Sequence, residues 1–229
     1  MTGCQALEID GLVLYANVIS EQQEVALVDQ LDARRWKEIS GRRVQTYGGL
    51  PHEKGMVEVP LPDFLQRVCS VLTSAEIEGE RGRLNIFDAN SPPNHVLVNE
   101  YQPGQGIQHH VDGPCYEPVA AIISLGADTQ MTFKTIDGKR AVTRVDLERR
   151  SCLVMSGDAY VQYMHGIEPV MRDCVASCEK CTSLQHEGET NDHHESCNEC
   201  EYRARARRVS LTIRRAKKRK GFGIKLSNT

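Results

Sequence analysis

The chain has 229 residues, of which 40% are hydrophobic and 26% charged, and a formal net charge of −3. This length can bury the core of one ordinary domain, and no run approaches 18 apolar residues, so the sequence predicts no membrane-spanning helix. The opening residues, MTGCQALEIDG, lack the basic and then apolar pattern of a secretion signal. We therefore expect an intracellular protein whose nine cysteines are thiols or metal ligands rather than disulfides.

Charge is unevenly distributed along the chain. Residues 203–229 contain 11 Lys and Arg and no acidic residue, which leaves a surplus of 14 acidic residues in 1–202. The run RRAKKRK (214–220) leads into a basic tail (216–229) and is typical of a phosphate-contacting patch or a nuclear localisation signal. A solvated tail that aids solubility is the alternative. We expect a nuclear and/or cytoplasmic location, with any phosphate-rich partner near the C-terminal end.

The first half of the chain predicts two helices. Ser20 and Gln23 form a capping-box pattern before an apolar face, and a second helix follows Pro62. The first face comprises Val25, Leu27, Val28, Leu31 and Trp36, and the second Phe64, Val68, Val71 and Leu72. Residues 41–55, with the Gly48-Gly49 pair, are predicted to be loop-rich.

From residue 95 onward the pattern changes to strands. Short runs rich in β-formers occupy 95–101, 120–126, 130–135, 140–147, 151–157, 159–167 and 208–215, with a hairpin turn predicted at 136–139. Closely spaced strands favour a mainly β protein with flanking helices and a barrel or jelly-roll core. We predict a single domain over 1–229, with its core at about 90–215 and the N-terminal helices on one side. Residues 172–203 form a Cys-rich insertion before the last core strand.

Three residues are candidate ligands of a catalytic metal. His110 and Asp112 lie two apart at a predicted strand end, so both project from the same face, and His165 ends a later apolar strand. Two histidines and one carboxylate on one face of a metal are diagnostic of non-haem Fe(II) oxygenases. The alternatives are a polar turn at 110–112 and an ordinary core histidine at 165.

Two arginines could bind a dicarboxylate co-substrate of such an enzyme. Arg208 and Arg214 are six apart and share one face of a strand, and guanidinium groups bind carboxylates in bidentate fashion. Arg144 and Arg150 have the same spacing, so the order of the motifs carries more weight than the arginine pair.

The ordered motifs resemble those of the AlkB-type Fe(II)/2-oxoglutarate dioxygenases. Over about residues 10–215, the blocks GRRVQTYGGLPHEKGMV, NHVLVNEYQPGQGIQHHVDGP, MHGI and RVSLTIRR are most similar to the sixth homologue group of animals and plants. The resemblance implies a double-stranded β-helix (jelly-roll) core. It also implies iron held by His110, Asp112 and His165.

The same resemblance implies a binding site for 2-oxoglutarate. Asn99 and Arg214 would hold its end nearest the metal, Tyr101, Arg208 and Ser210 its distal carboxylate, and Leu97 would line the pocket. Tyr47 stands where relatives place an aromatic residue near the substrate, although core packing or a simple loop role are alternatives. Pro114 stands where some members carry a base-reading acid, so no target base is implied.

The implied function is oxidative demethylation of an alkylated nucleic acid, RNA or DNA, with Fe(II), 2-oxoglutarate and O₂. One alternative keeps the dioxygenase but gives it a protein substrate. The other is a catalytically silent nucleic-acid binder that uses the Cys-rich insertion and the basic tail.

A second metal site is predicted in the insertion. Cys178, Cys181, Cys197 and Cys200 have the spacing C-x2-C-x15-C-x2-C, in which each pair supplies two thiolates from one tight turn. This spacing predicts a structural zinc, against the alternative of a reduced, flexible Cys-rich segment.

Overall fold

A computed structural model describes residues 3–52, 54–73, 84–176 and 200–217. These residues form three helices, α1 (Glu21–Asp32), α2 (Asp63–Val71) and α3 (Gly157–Val161). The strands of the first half are β1 (Cys4–Ala6), β2 (Leu12–Tyr15), β3 (Lys37–Ile39), β4 (Arg42–Tyr47), β5 (His95–Tyr101), β6 (Ile107–His110) and β7 (Tyr116–Leu125). Those of the second half are β8 (Thr129–Thr135), β9 (Ala141–Leu147), β10 (Cys152–Ser156), β11 (Tyr163–Ile167), β12 (Arg172–Ala176), β13 (Glu201–Ala204) and β14 (Arg208–Ala216).

Two antiparallel sheets make up the body of the domain. The larger has the order β1-β2-β10-β7-β14-β5-β4-β3, and the smaller the order β6-β11-β8-β9. Tyr101 and Ile122 from the larger sheet pack with Met131, Phe133 and Val145 from the smaller in one buried cluster. The mainly β architecture predicted from the sequence is therefore confirmed.

The larger sheet has two buried faces with different roles. Its outer face, with Val96 and Val98 of β5, packs against α1 and α2 through residues such as Leu31 and Leu65. The alternate residues of the same strands therefore point inward, between the two sheets. The period of two residues in a strand thus separates a helix-covered apolar face from an interior face that carries polar side chains.

Helix α1 has the predicted capping box, in which Ser20 and Gln23 each bond the other's backbone N–H. Its buried face differs from the prediction, because Val25 is 54% exposed and the charged Glu24 is buried. Glu24 accepts hydrogen bonds from Arg149 Nη2 and from the backbone N–H of Gly126, both at 2.7 Å. The burial of a carboxylate here is thus compensated by an ion pair that amphipathic periodicity does not reveal. The helix ends at Asp32, before Trp36.

Two sequence predictions are wrong in their element type. Residues 42–47 lie in the range predicted as loop but form β4. They pair with β5 from Arg43–Glu100 to Tyr47–Val96, and the backbone hydrogen bonds to this distant strand outweigh the local sequence preference. Residues 159–167, predicted as one strand, are divided between the end of α3 and β11. The left-handed backbone of Gly157 (φ 51°) turns the chain into α3, whose Ala159 N–H bonds the carbonyl of Asp10.

The ends of the Cys-rich insertion are ordered as a two-stranded sheet, β12 with β13. Beside it, Arg205 forms a buried ion pair with Asp173 at 2.6 Å and donates to the carbonyl of Glu168. This pair anchors the base of the insertion to the loop that follows β11. In the part of the chain that the structure describes, no helix is long and apolar enough to cross a membrane.

Candidate metal and 2-oxoglutarate site

The two sheets bring the three predicted metal ligands together. His110 at the end of β6 lies directly across from His165 on β11, and Asp112 follows two residues beyond the strand end. One ligand atom from each residue lies within 4.8 Å of the others. A hydrogen-bonded strand pair therefore sets the spacing of the two imidazoles before any metal is added.

The chemistry of the three side chains suits a divalent metal. His110 Nδ1 lies 2.9 Å from the carbonyl of Gln108, so an Nδ1–H donor leaves Nε2 as the ligand atom. Burial lowers the pKa of His165 to about 4, which keeps this imidazole neutral and its lone pair free. Asp112 Oδ2 is buried without a hydrogen-bond partner among the described residues, whereas Oδ1 accepts from Arg214 Nη1 at 2.5 Å.

The predicted co-substrate residues lie on the interior face of the larger sheet. In the register of β14 with β5, Arg208 is opposite Tyr101, Ser210 opposite Asn99, and Arg214 opposite His95. Leu97 has the same alternation as Asn99 and Tyr101. All six predicted side chains therefore belong to one surface. At one end of this surface, Arg214 contacts Asp112.

Arg208 has the environment of an anion-binding residue. It is 2% exposed, and its Nη2 donates to Ser124 Oγ at 2.9 Å, but Nε and Nη1 have no partner among the described residues. Its guanidinium carbon lies 5.7 Å from the centre of the Tyr101 ring. Burial lowers the pKa of Arg208 only to about 10, so it stays charged at neutral pH. A buried cation with unpaired donors is costly unless an anion completes it.

Arg214 is fixed at the opposite end of the same face. Its guanidinium carbon lies 3.9 Å from the centre of the Tyr116 ring, and that ring lies 5.4 Å from the His95 ring. This stacking, together with the ion pair to Asp112, restricts the guanidinium plane. The two arginines therefore present their donors at the two ends of one buried face, and such an arrangement fits a dicarboxylate whose near end reaches the metal.

The structure does not bring Tyr47 to this site. It lies opposite Val96, so its side chain is on the helix-covered face of the sheet, with its ring 6.1 Å from that of Phe64. Its hydroxyl donates to Gln45 Oε1 at 2.8 Å. Tyr47 therefore packs between the sheet and α2. Pro114 is exposed beside the site, and its carbonyl accepts from Lys217 Nζ.

Three residues of the site were not predicted from the sequence. They are Ser124, Tyr116 and Arg42, which contact Arg208, Arg214 and Asn99 respectively. A lone serine in the apolar run AAIISLG was a signal for an inward polar position. Arg42 had no such signal, because its strand was predicted as loop.

The fold and this geometry agree with the comparisons with known proteins. The sequence profile of the 2OG-Fe(II) oxygenase superfamily matches residues 16–214. The chain belongs to this superfamily. Its cofactors are accordingly Fe(II) and 2-oxoglutarate with O₂, and the cluster of His110, Asp112 and His165 has ligand types that could hold the metal.

Individual relatives place this oxygenase among the AlkB homologues. It is 33% identical over 214 residues to the probable RNA/DNA demethylase ALKBH6 of Danio rerio, covering 87% of this chain and 83% of that one. It is 32% identical over 193 residues to the tRNA (carboxymethyluridine(34)-5-O)-methyltransferase ALKBH8 of Mus musculus, of whose length the match spans 27%. The solved structure of OsALKBH1 superposes with a TM-score of 0.58 at 16% identity, covering 93% of this chain and all of that one. The jelly-roll fold and the AlkB resemblance are thus confirmed.

Proposed function

We propose that this dioxygenase removes alkyl groups from nucleic acid, RNA or DNA, by oxidation. The observation that carries the chemistry is the His110, Asp112 and His165 cluster at one end of a buried face with two arginines. When bound, Fe(II) and 2-oxoglutarate supply the oxidative chemistry that converts a C–H bond beside nitrogen to C–OH, with O₂ consumed and CO₂ and succinate released. An N-methyl group hydroxylated in this way leaves as formaldehyde.

The residues of the chain have distinct roles in this proposal. His110, Asp112 and His165 would hold the metal with three protein ligand atoms. Arg208, with Tyr101 and Ser210, binds the distal carboxylate of 2-oxoglutarate, and Arg214 and Asn99 orient the end nearest the metal, with Leu97 as an apolar wall. The surrounding apolar cluster of the two sheets keeps water from the buried face.

A nucleic-acid substrate is supported by charge at the metal end of the site. β14 carries Arg214 to Asp112 and is followed by the exposed Lys217, whose Nζ donates to the carbonyl of Pro114 at 2.9 Å. The basic run 214–220 therefore starts beside the metal ligands, where cations attract a phosphate backbone. The relative from Danio rerio carries the name of an RNA/DNA demethylase, which supports the same substrate class.

A product screen tests this proposal. Succinate and formaldehyde would be measured with methylated oligonucleotides, their unmethylated counterparts and methylated peptides, all at one salt concentration. We expect methylated oligonucleotides to stimulate succinate release at least about 10-fold over the unmethylated controls, since only a positioned C–H bond is attacked productively. Release with peptides alone would contradict a nucleic-acid substrate and favour a protein one.

We also propose that the Cys-rich insertion binds a structural zinc. Cys178, Cys181 and Cys197 lie outside the described residues, and Cys200 directly precedes β13. A zinc here would tie the two cysteine pairs of the insertion together. Metal analysis of the whole chain is expected to give one zinc per chain that is lost when Cys178 and Cys181 are both changed to Ser; retention of the zinc would rule out these ligands. The nuclear and/or cytoplasmic location stays a prediction.

A further inference from the structure

Arg42 contacts the 2-oxoglutarate face from a strand that the sequence did not predict. It begins β4, one residue before the paired Arg43 and Glu100, and its Nε donates to Asn99 Oδ1 at 3.0 Å. Asn99 is 4% exposed, and Arg42 also lines an open cleft of about 780 Å³ that reaches His110. Arg42 therefore lies between this open cleft and a buried amide of the proposed co-substrate site.

The chemistry of this contact fixes the orientation of the amide. Arginine has five N–H donors and no acceptor, so only the oxygen of the Asn99 side chain can face Arg42. The Nδ2 amino group of Asn99 must then point away from Arg42, along the interior face that Ser210 shares.

The orientation matters because the proposed ligand of Asn99 is an acceptor. The carboxylate and keto oxygens at the near end of 2-oxoglutarate accept hydrogen bonds and repel a carbonyl oxygen. If Arg42 were absent, the Asn99 amide could rotate by half a turn and present its oxygen to these atoms. The contact with Arg42 thus excludes the orientation that opposes binding.

We propose that Arg42 is a positioning residue for 2-oxoglutarate. Arg42 acts by holding the Asn99 amide so that its amino group faces the co-substrate. The inference rests on the proposed function only in taking 2-oxoglutarate to be bound by Asn99. Arg43 provides a matched comparison, since it is the next residue on β4 and its side chain points to the other face, where it pairs with Glu100 at 2.7 Å.

The test is a double-mutant cycle on binding in the absence of turnover. The affinity for 2-oxoglutarate would be measured by calorimetry on the whole chain loaded with Mn(II), for the wild type, Arg42→Ala, Arg42→Lys, Asn99→Ala, the Arg42→Ala/Asn99→Ala double variant and Arg43→Ala. Asn99→Ala is expected to weaken binding about 10-fold, the loss of one charge-assisted hydrogen bond. Arg42→Ala is expected to weaken binding by up to the same factor, because the Asn99 amide can then adopt the orientation that opposes binding. The double variant should bind no more weakly than Asn99→Ala alone.

Two further readouts separate positioning from a merely structural role. Arg42→Lys, which still donates to Asn99 Oδ1, is expected to restore affinity to within about threefold of wild type. The KM for 2-oxoglutarate should rise in Arg42→Ala while kcat at saturating 2-oxoglutarate stays within about twofold. Arg43→Ala should retain wild-type affinity, and thermal unfolding of each variant checks that it is folded.

Each other outcome overturns a defined part of the proposal. Unchanged affinity in Arg42→Ala, or a double variant about 100-fold weaker than wild type, would show that Arg42 does not act through Asn99. Unchanged affinity in Asn99→Ala would remove Asn99 from the co-substrate site and the inference with it. A wild-type protein with no affinity for 2-oxoglutarate would instead contradict the proposed function itself, independently of Arg42.

Discussion

His110→Ala is expected to lose turnover entirely and to weaken iron binding by more than about 100-fold, since even partners of a metal ligand contribute 10- to 100-fold. The substitution removes one of three candidate ligands, and two remaining ligands, His165 and Asp112, would hold the metal much less tightly. Metal content and equilibrium affinity are the direct measurements, and succinate formation is the second. Binding of nucleic acid should persist, because the basic residues after β14 are unaffected.

The adjacent histidine provides the control for this experiment. His109 Nδ1 lies 3.9 Å from Glu168 Oε1, in the direction opposite to the metal cluster, because neighbouring residues of a strand point to opposite faces. His109→Ala is expected to keep the iron affinity of the wild type within about threefold. Equal losses in the two variants would show that the segment, and not the side chain of His110, determines metal binding.

Arg208→Met is expected to weaken 2-oxoglutarate binding by about 100-fold while leaving the cofactor-free protein at least as stable as the wild type. Two charge-assisted hydrogen bonds to a carboxylate account for the loss of affinity. The gain in stability, about 1 kcal/mol, follows because the buried guanidinium has two nitrogens without a partner among the described residues. Calorimetric titration and denaturant unfolding measure the two effects separately.

The opposite signs of these effects distinguish a binding residue from a structural one. Removal of an arginine that stabilised the fold would lower both the affinity for 2-oxoglutarate and the stability of the cofactor-free protein. Such a result would contradict the assignment of Arg208. Arg144→Met is the matched control, because Arg144 belongs to the other pair with six-residue spacing but is exposed on β9. The Arg144→Met variant should bind 2-oxoglutarate with the affinity of the wild type.

The co-substrate face could be predicted because strand alternation is a local property. Leu97, Asn99 and Tyr101 on β5, and Arg208, Ser210 and Arg214 on β14, are separated by even numbers of residues, so each set must share a side of its strand. The sequence could not show that the two strands are neighbours, that Asn99 lies opposite Ser210, or that β7 supplies Ser124 to Arg208. Those contacts depend on pairing between segments more than 80 residues apart.

Local patterns failed where long-range partners outweigh propensity. Residues 42–47 have the composition of a polar loop, yet pairing with β5 makes them a strand and places Arg42 and Arg43 on opposite faces of the sheet. Tyr47 illustrates the same cause, since its register with Val96 puts it against α2, on the outer face of the sheet. In both cases a register that the sequence does not encode locally decided where a side chain points.

The sequence by itself determined the chemical class of this protein. An ordered set of His110, Asp112 and His165 with two arginines on one strand identifies the oxygenase, because ligand type, motif order and strand alternation do not depend on which strands pair. Only the tertiary structure decided how that set is supported. The space between the two sheets leaves Arg208 with two nitrogens that have no partner among the described residues, stacks Arg214 on Tyr116, and holds the amide oxygen of Asn99 toward Arg42. Burial and cross-strand register cause these features, and both arise only when distant strands pair.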